Sequence, residues 1–214
     1  MLLYCFQLRH YEGNDMSKYT KSKETPVEIL VIADRSGSMS SIRSDAIGGF
    51  NTFLEEQQKV EGEANLTLVL FDDQYEVPVN NYPIDKVLPL TESTFVPRGM
   101  TAMNDAIGKA LNDLIAKNPE KAIICVLTDG MENASREYSN ADIKLLTEKC
   151  SNEKGWEFIY LAANQDAFSE GRMRGFRKLV DYDATGQGIR SAYASMADTA
   201  TSYRTKSAEV SDNG

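Results

Sequence analysis

From Pro26 onward the chain alternates between two hydrophobic periods, and this alternation limits its fold more than any other feature. The run Val27-Glu-Ile-Leu-Val-Ile-Ala33 is nearly continuous and β-branched, the pattern of a strand covered on both faces. Ile42, Ala46, Phe50 and Leu54 then recur at helical spacing with Ile47 and Phe53 beside them, which makes residues 40–60 one amphipathic helix. Ser40 or Ser41 can cap its start. A second strand is expected from Ala64 to Phe71 and a third from Tyr75 to Asn80. Pro78 restricts the third strand to a sheet edge, because proline has no N–H to give the ladder. The short gap Asp72-Asp73-Gln74 joins the two as a hairpin.

A helix through Met103, Ile107, Ala110, Leu111 and Leu114 stops at Asn118-Pro119, and Ala122–Leu127 is another buried strand. Ile143, Leu146 and Cys150 mark a further helical face and Trp156–Ala162 a further strand. A short helix over 165–175, a brief strand at Lys178–Tyr182 and a last helix through Ile189, Tyr193, Met196, Ala200 and Tyr203 complete the series. Trp156, Tyr193 and Tyr203 are read as core packing. Strands that alternate with helices require right-handed crossovers and a mostly parallel sheet. The fold class is therefore α/β: a doubly wound, Rossmann-like, mostly parallel sheet with helices on both faces and one antiparallel edge strand. Residues 25–205 form the expected domain. Residues 1–24 read as an N-terminal extension, of which 1–15 precede a native-like start at Met16, and 206–214 as a flexible tail.

Composition narrows the function. With 23 Lys+Arg against 32 Asp+Glu the net charge is −9, which argues against a nucleic-acid-binding surface, because phosphate neutralisation needs clustered cations. The single histidine, His10, removes most mechanisms built on an imidazole base. Cys5, Cys125 and Cys150 are too scattered for a zinc site and suit a reducing compartment, so a cytoplasmic location is expected. The apolar stretch Met1–Leu8 is too short to span a bilayer, and no membrane association is expected.

In a parallel α/β sheet, ligands bind beyond the carboxyl ends of the strands, where the strand order reverses. The first buried strand runs directly into Asp34-Arg-Ser-Gly-Ser38, the strand Ala122–Leu127 runs into Thr128-Asp-Gly130, and Arg98-Gly-Met-Thr101 precedes a helix. Two carboxylates and several hydroxyls thus converge on one sheet edge. Such oxygen donors suit a hard divalent cation. Asp34 and Asp129 supply the charge, and Gly37 supplies backbone freedom in the first loop.

These residues resemble the von Willebrand factor A domain and its metal-ion-dependent adhesion site: Asp34-x-Ser36-x-Ser38, Thr101 in a Gly-x-Thr loop, and Asp129 in Thr-Asp-Gly. The resemblance extends over residues 25–205 and is most marked toward the compact bacterial and phage members. It implies a sheet of about six strands. It also implies Mg2+ (Mn2+ or Ca2+ as alternatives) held by Ser36, Ser38 and Thr101, with Asp34 and Asp129 binding directly or through water. A coordination position is then left for an Asp or Glu carboxylate of a protein partner. The expected function is thus a Mg2+-dependent protein-binding module, not an enzyme. Arg35, Met39, Arg98, Met100 and Met131 flank the loops and are read equally as partner surface or as packing. Two other readings remain open: a metal-dependent phosphoester hydrolase, and an assembly subunit whose metal only braces the loops. Neither a P-loop nor a dinucleotide fingerprint is present.

Overall fold

A computed structural model describes residues 25–163 and 165–211; the extension over 1–24, with His10 and Met16, lies outside the described residues. Six strands form one sheet in the order β3-β2-β1-β4-β5-β6. They are β1 (Val27–Asp34), β2 (Ala64–Phe71), β3 (Tyr75–Pro83), β4 (Ala122–Thr128), β5 (Glu157–Ala163) and β6 (Lys178–Tyr182). Only the β2–β3 pair is antiparallel. The helices are α1 (Arg43–Lys59), α2 (Met103–Lys117), α3 (Asn140–Lys154), α4 (Gln165–Met173) and α5 (Gly186–Ser211).

The continuous apolar strands are explained by two cores, one on each face. Val27, Ile29, Val31 and Ala33 of β1 pack with Phe50 and Phe53 of α1 and with Ile189, Tyr193 and Met196 of α5. The alternate residues Leu30 and Ile32 pack with Met103, Ile107 and Leu111 of α2 and with Ile143 and Cys150 of α3. Successive strand side chains point to opposite faces, so a strand buried on both sides must be apolar throughout. No helix among the described residues is long and apolar enough to cross a membrane.

Several expected boundaries shift. Neither Ser40 nor Ser41 caps α1: a 3-10 turn over Gly37–Ile42 enters the helix directly, and its N-cap position, Ile42, makes no side-chain cap bond. The third strand continues to Pro83, with irregularities on either side of Leu68 where β3 carries extra residues. Pro78 lies inside one of them on the edge strand, where its missing N–H costs no ladder bond. Helix α5 runs to Ser211, so the tail expected from 206 overlaps its last turns. Buried Arg204 donates to the backbone oxygens of Gln57 (2.6 Å), Val60 (3.0 Å) and Gly62 (2.9 Å). It thereby caps the C-terminus of α1 and ties α5 down past Tyr203.

The topology decides where a site can form. From β1 the chain moves outward to β2 and β3, then returns to β4 on the other side of β1. The strand order therefore reverses between β1 and β4, and their adjacent carboxyl ends present Asp34 and Thr128 side by side.

Candidate metal centre

Asp34 closes β1 and is fully buried. Its carboxylate oxygens are both engaged: Oδ1 accepts from the Ser36 amide at 2.6 Å, and Oδ2 accepts from the Thr128 hydroxyl at 2.7 Å. The first bond folds the loop back on itself. The second ties the end of β1 to the end of β4. Ser36 Oγ lies 3.1 Å from Ser38 Oγ, and the Ser38 hydroxyl donates to Asp129 Oδ1 at 2.7 Å. Asp34, Ser36, Ser38 and Asp129 thus form one connected chain of oxygen groups drawn from two loops.

Thr101 comes to the same place from a third loop. A Cβ placed on Gly130 would sit 3.6 Å from Thr101 Oγ1 and 3.7 Å from Ser38 Oγ, so Gly130 leaves open the space that these two hydroxyls face. The backbone of Thr101 is fastened across to the β4 loop: its amide donates to Asn133 Oδ1 (2.9 Å) and its carbonyl accepts from the Asn133 amide (3.0 Å). Glu132 organises the rest of that loop by accepting from the amides of Asn104, Ala134 and Ser135.

The electrostatics are those of a site short of positive charge. Burial pushes the Asp34 carboxyl up to about 6, against the downward pull of its bonds from Thr128 and Ser36. Burial likewise raises Asp129, opposed by the Ser38 hydroxyl. No Lys or Arg among the described residues contributes to either shift. The donor set is all oxygen, two carboxylates and three hydroxyls, and fits a hard divalent cation rather than zinc-type thiolate or imidazole ligation. Among the described residues no cluster of three or more Asp, Glu, His or Cys side chains is poised to hold a metal, so the hydroxyls are integral to any such site.

All five sequence-predicted residues are therefore brought to one edge of the sheet, while the flanking residues divide. Arg35 and Met39 are buried and are not partner surface. Met39 fills the core beneath the 3-10 turn. Met100 and Met131 are more than half exposed, at 54% and 53%. Two supports, Thr128 on Asp34 and Asn133 on Thr101, are not part of the expected donor set. Thr128 carried a usable signal, a hydroxyl at the buried end of an apolar strand, whereas Asn133 carried none.

No protein-family model matches the chain, and a comparison with curated proteins finds no match. Solved structures match it in fold. The vWF domain of the type V pili tip protein Mfa5 from Porphyromonas gingivalis aligns with a TM-score of 0.60 at 10% identity, over 82% of this chain and 95% of that one. The PilB minor pilin from Streptococcus sanguinis aligns with a TM-score of 0.62 at 11% identity, over 84% of this chain but only 62% of the pilin. Proximal thread matrix protein 1 from the mussel byssus, in a structure with a zinc-occupied MIDAS motif, aligns with a TM-score of 0.56 at 16% identity, over 83% of this chain and 46% of that one. The chain thus has a von Willebrand A-like fold and spans less than two thirds of the pilin and of the byssus protein.

Proposed function

We propose that the chain is a Mg2+-dependent protein-binding module whose metal is held by Ser36, Ser38 and Thr101, with Asp34 and Asp129 ligating directly or through water. The observation that carries this reading is the convergence of two burial-raised carboxylates and three hydroxyls, with no Lys or Arg among the described residues offsetting either shift, at the strand-order reversal. A divalent cation supplies the missing charge and an electrophilic centre for an incoming carboxylate. The zinc-occupied motif in the byssus protein supports cation binding by this fold.

The chain's own residues perform separable tasks. Asp34 holds the first loop closed through the Ser36 amide and holds it to β4 through Thr128. Asp129 accepts the Ser38 hydroxyl hydrogen bond, so Ser36 is the donor between the two hydroxyls and Ser38 Oγ keeps one lone pair for a cation. Because the hydroxyls are neutral, the protein's donors alone do not saturate a divalent ion, and a partner's Asp or Glu side chain completes the shell. Binding of that kind is reversible and depends on the metal. Among the described residues the partners of the Ser36 and Ser38 hydroxyls are each other and the Asp129 carboxylate, not a nitrogen base, which favours binding over nucleophilic catalysis.

Titration calorimetry with Mg2+ tests the assignment: wild type binds, while Asp34→Ala and Asp129→Ala lose affinity and remain folded. Equal binding by all three proteins refutes it. Partner capture with and without chelator separates adhesion from bracing. Adhesion requires capture to vanish on chelation with little change in melting temperature, whereas bracing gives a large thermal loss with capture intact.

A further inference from the structure

Thr101 ends a long irregular segment, and Asn133 ties its backbone to the β4 loop but not to the Asp34–Ser38 loop. Residues 87–102 contain no helix or strand beyond a turn at 92–94, and a long irregular segment is expensive to hold in one place. Something must hold its end against the Asp34–Ser38 loop. Arg35, Asp72, Glu76 and Arg98 meet there in one ion cluster. Buried Asp72 receives Arg35 Nε at 3.0 Å and Arg98 Nε at 2.9 Å on the same oxygen, Oδ2, and the Gln74 amide on the other. Both guanidinium groups continue to Glu76, Arg35 at 2.8 Å and Arg98 at 2.7 Å, and Arg98 also donates to Gln74 Oε1.

The backbone runs along the same seam. The Arg98 amide donates to the Arg35 carbonyl, the Gly37 amide to the Gly99 carbonyl, and the Ala102 amide to the Asp72 carbonyl. Gly99 has φ +65, and a Cβ there would lie 2.0 Å from Asp73 Oδ1, so the loop passes directly over the β2–β3 turn. Three segments that are remote in sequence are stapled together, and the staple ends next to Thr101.

We infer that the Arg35–Asp72–Glu76–Arg98 cluster sets the affinity of the metal centre by fixing the position of Thr101, with Arg98 and Asp72 as positioning residues that touch neither metal nor partner. This inference rests on the metal reading proposed above. Arg98 is the informative member, because its side chain is 44% exposed and its loss leaves Asp72 still paired with Arg35. Asp72 itself is unsuitable, since removing it leaves the Nε of buried Arg35 without its acceptor.

The test combines Mg2+ calorimetry with amide hydrogen exchange on wild type, Arg98→Gln, Thr101→Ala and the double variant. Arg98→Gln is expected to weaken Mg2+ binding by ~10-fold or more, the range for residues that orient ligands, with near wild-type melting. In the Thr101→Ala background the same change is expected to cost little further, since it acts through Thr101. Without metal, the Ala102 amide should exchange faster in Arg98→Gln while amides of β1 and β4 do not. Unchanged affinity in Arg98→Gln overturns the inference, as does an equal loss in both backgrounds. Should Thr101→Ala take up no measurable Mg2+, the Ala102 exchange decides, and an unchanged rate overturns the inference. Wild type that takes up no Mg2+ overturns the metal reading instead, and the exchange result still reports whether the cluster holds the loop.

Discussion

Replacing Thr128 with Val probes the link between the two strand ends with almost no change of shape. Thr128 is fully buried, and its hydroxyl donates to Asp34 Oδ2 at 2.7 Å while accepting from the Gly130 amide at 3.1 Å. The first is a charge-assisted bond, worth about 1.5–3 kcal/mol, and the second a neutral one, worth about 1 kcal/mol. Losing both should destabilise the metal-free protein by about 2.5–4 kcal/mol. The metal adds a second part. If Thr128 orients Asp34 for the cation, the variant should also bind Mg2+ at least ~10-fold more weakly. Since a bound ligand stabilises by RT ln(1 + [L]/Kd), excess Mg2+ should widen the gap between wild type and variant by ~1.4 kcal/mol or more. Urea unfolding in chelator and in excess Mg2+, at unchanged slope, measures both parts. The same gap in both conditions would show that Thr128 does not serve the metal, and a gap below ~0.5 kcal/mol in chelator would refute the assigned strength of its bond to Asp34.

Two further outcomes concern regions beyond the donors. The Arg35 guanidinium, helped by Arg98, holds the Glu76 carboxyl down to about 2. A depressed carboxylate stabilises the fold above its ordinary value, near 4.5, and that contribution is lost as pH falls toward 2. Glu76→Gln should therefore be less stable than wild type at neutral pH, and the difference should close on acid titration across that window; a gap that persists at pH 2 contradicts the pairing. Where α1 ends and the chain turns into β2, Arg204→Met strips the cap from α1 and should cost about 3 kcal/mol in chemical unfolding. Faster amide exchange over 201–211 and unaltered Mg2+ affinity should accompany it; wild-type stability would show that the cap carries no weight.

Four of the five candidate donors stand at positions that local pattern identifies, and Thr101 is marked only by the resemblance. Asp34 and Asp129 come directly after runs of buried residues at strand ends, and Ser36 and Ser38 succeed Asp34 at alternate positions. A strand's period marks its end, and in a parallel sheet that end is where a ligand site lies. The flanking residues were not legible in the same way. Arg35 and Met100 both read as polar or adaptable side chains beside a loop, yet Arg35 is buried on Asp72 and Glu76 while Met100 faces solvent. The β2–β3 turn and the start of β3, brought alongside by antiparallel pairing, supply Asp72 and Glu76, the acids that draw Arg35 inward. The caps obeyed the same logic: Ser40 and Ser41 suit a helix start, but the tight loop imposed by Asp34 enters α1 through a 3-10 turn instead.

Residue order alone therefore determines the class of the fold, its element sequence and the chemistry gathered at one sheet edge, since hydrophobic period and strand-end composition are local properties. The supports of that chemistry are decided by tertiary structure: Thr128 on Asp34, Asn133 on Thr101, the Arg35–Asp72–Glu76–Arg98 staple, and the hold of Arg204 on α1. Each joins groups from elements distant along the chain, and a hydrogen bond or ion pair of that kind has no local period. It exists only once the strand order has placed its two halves within about 3 Å of one another.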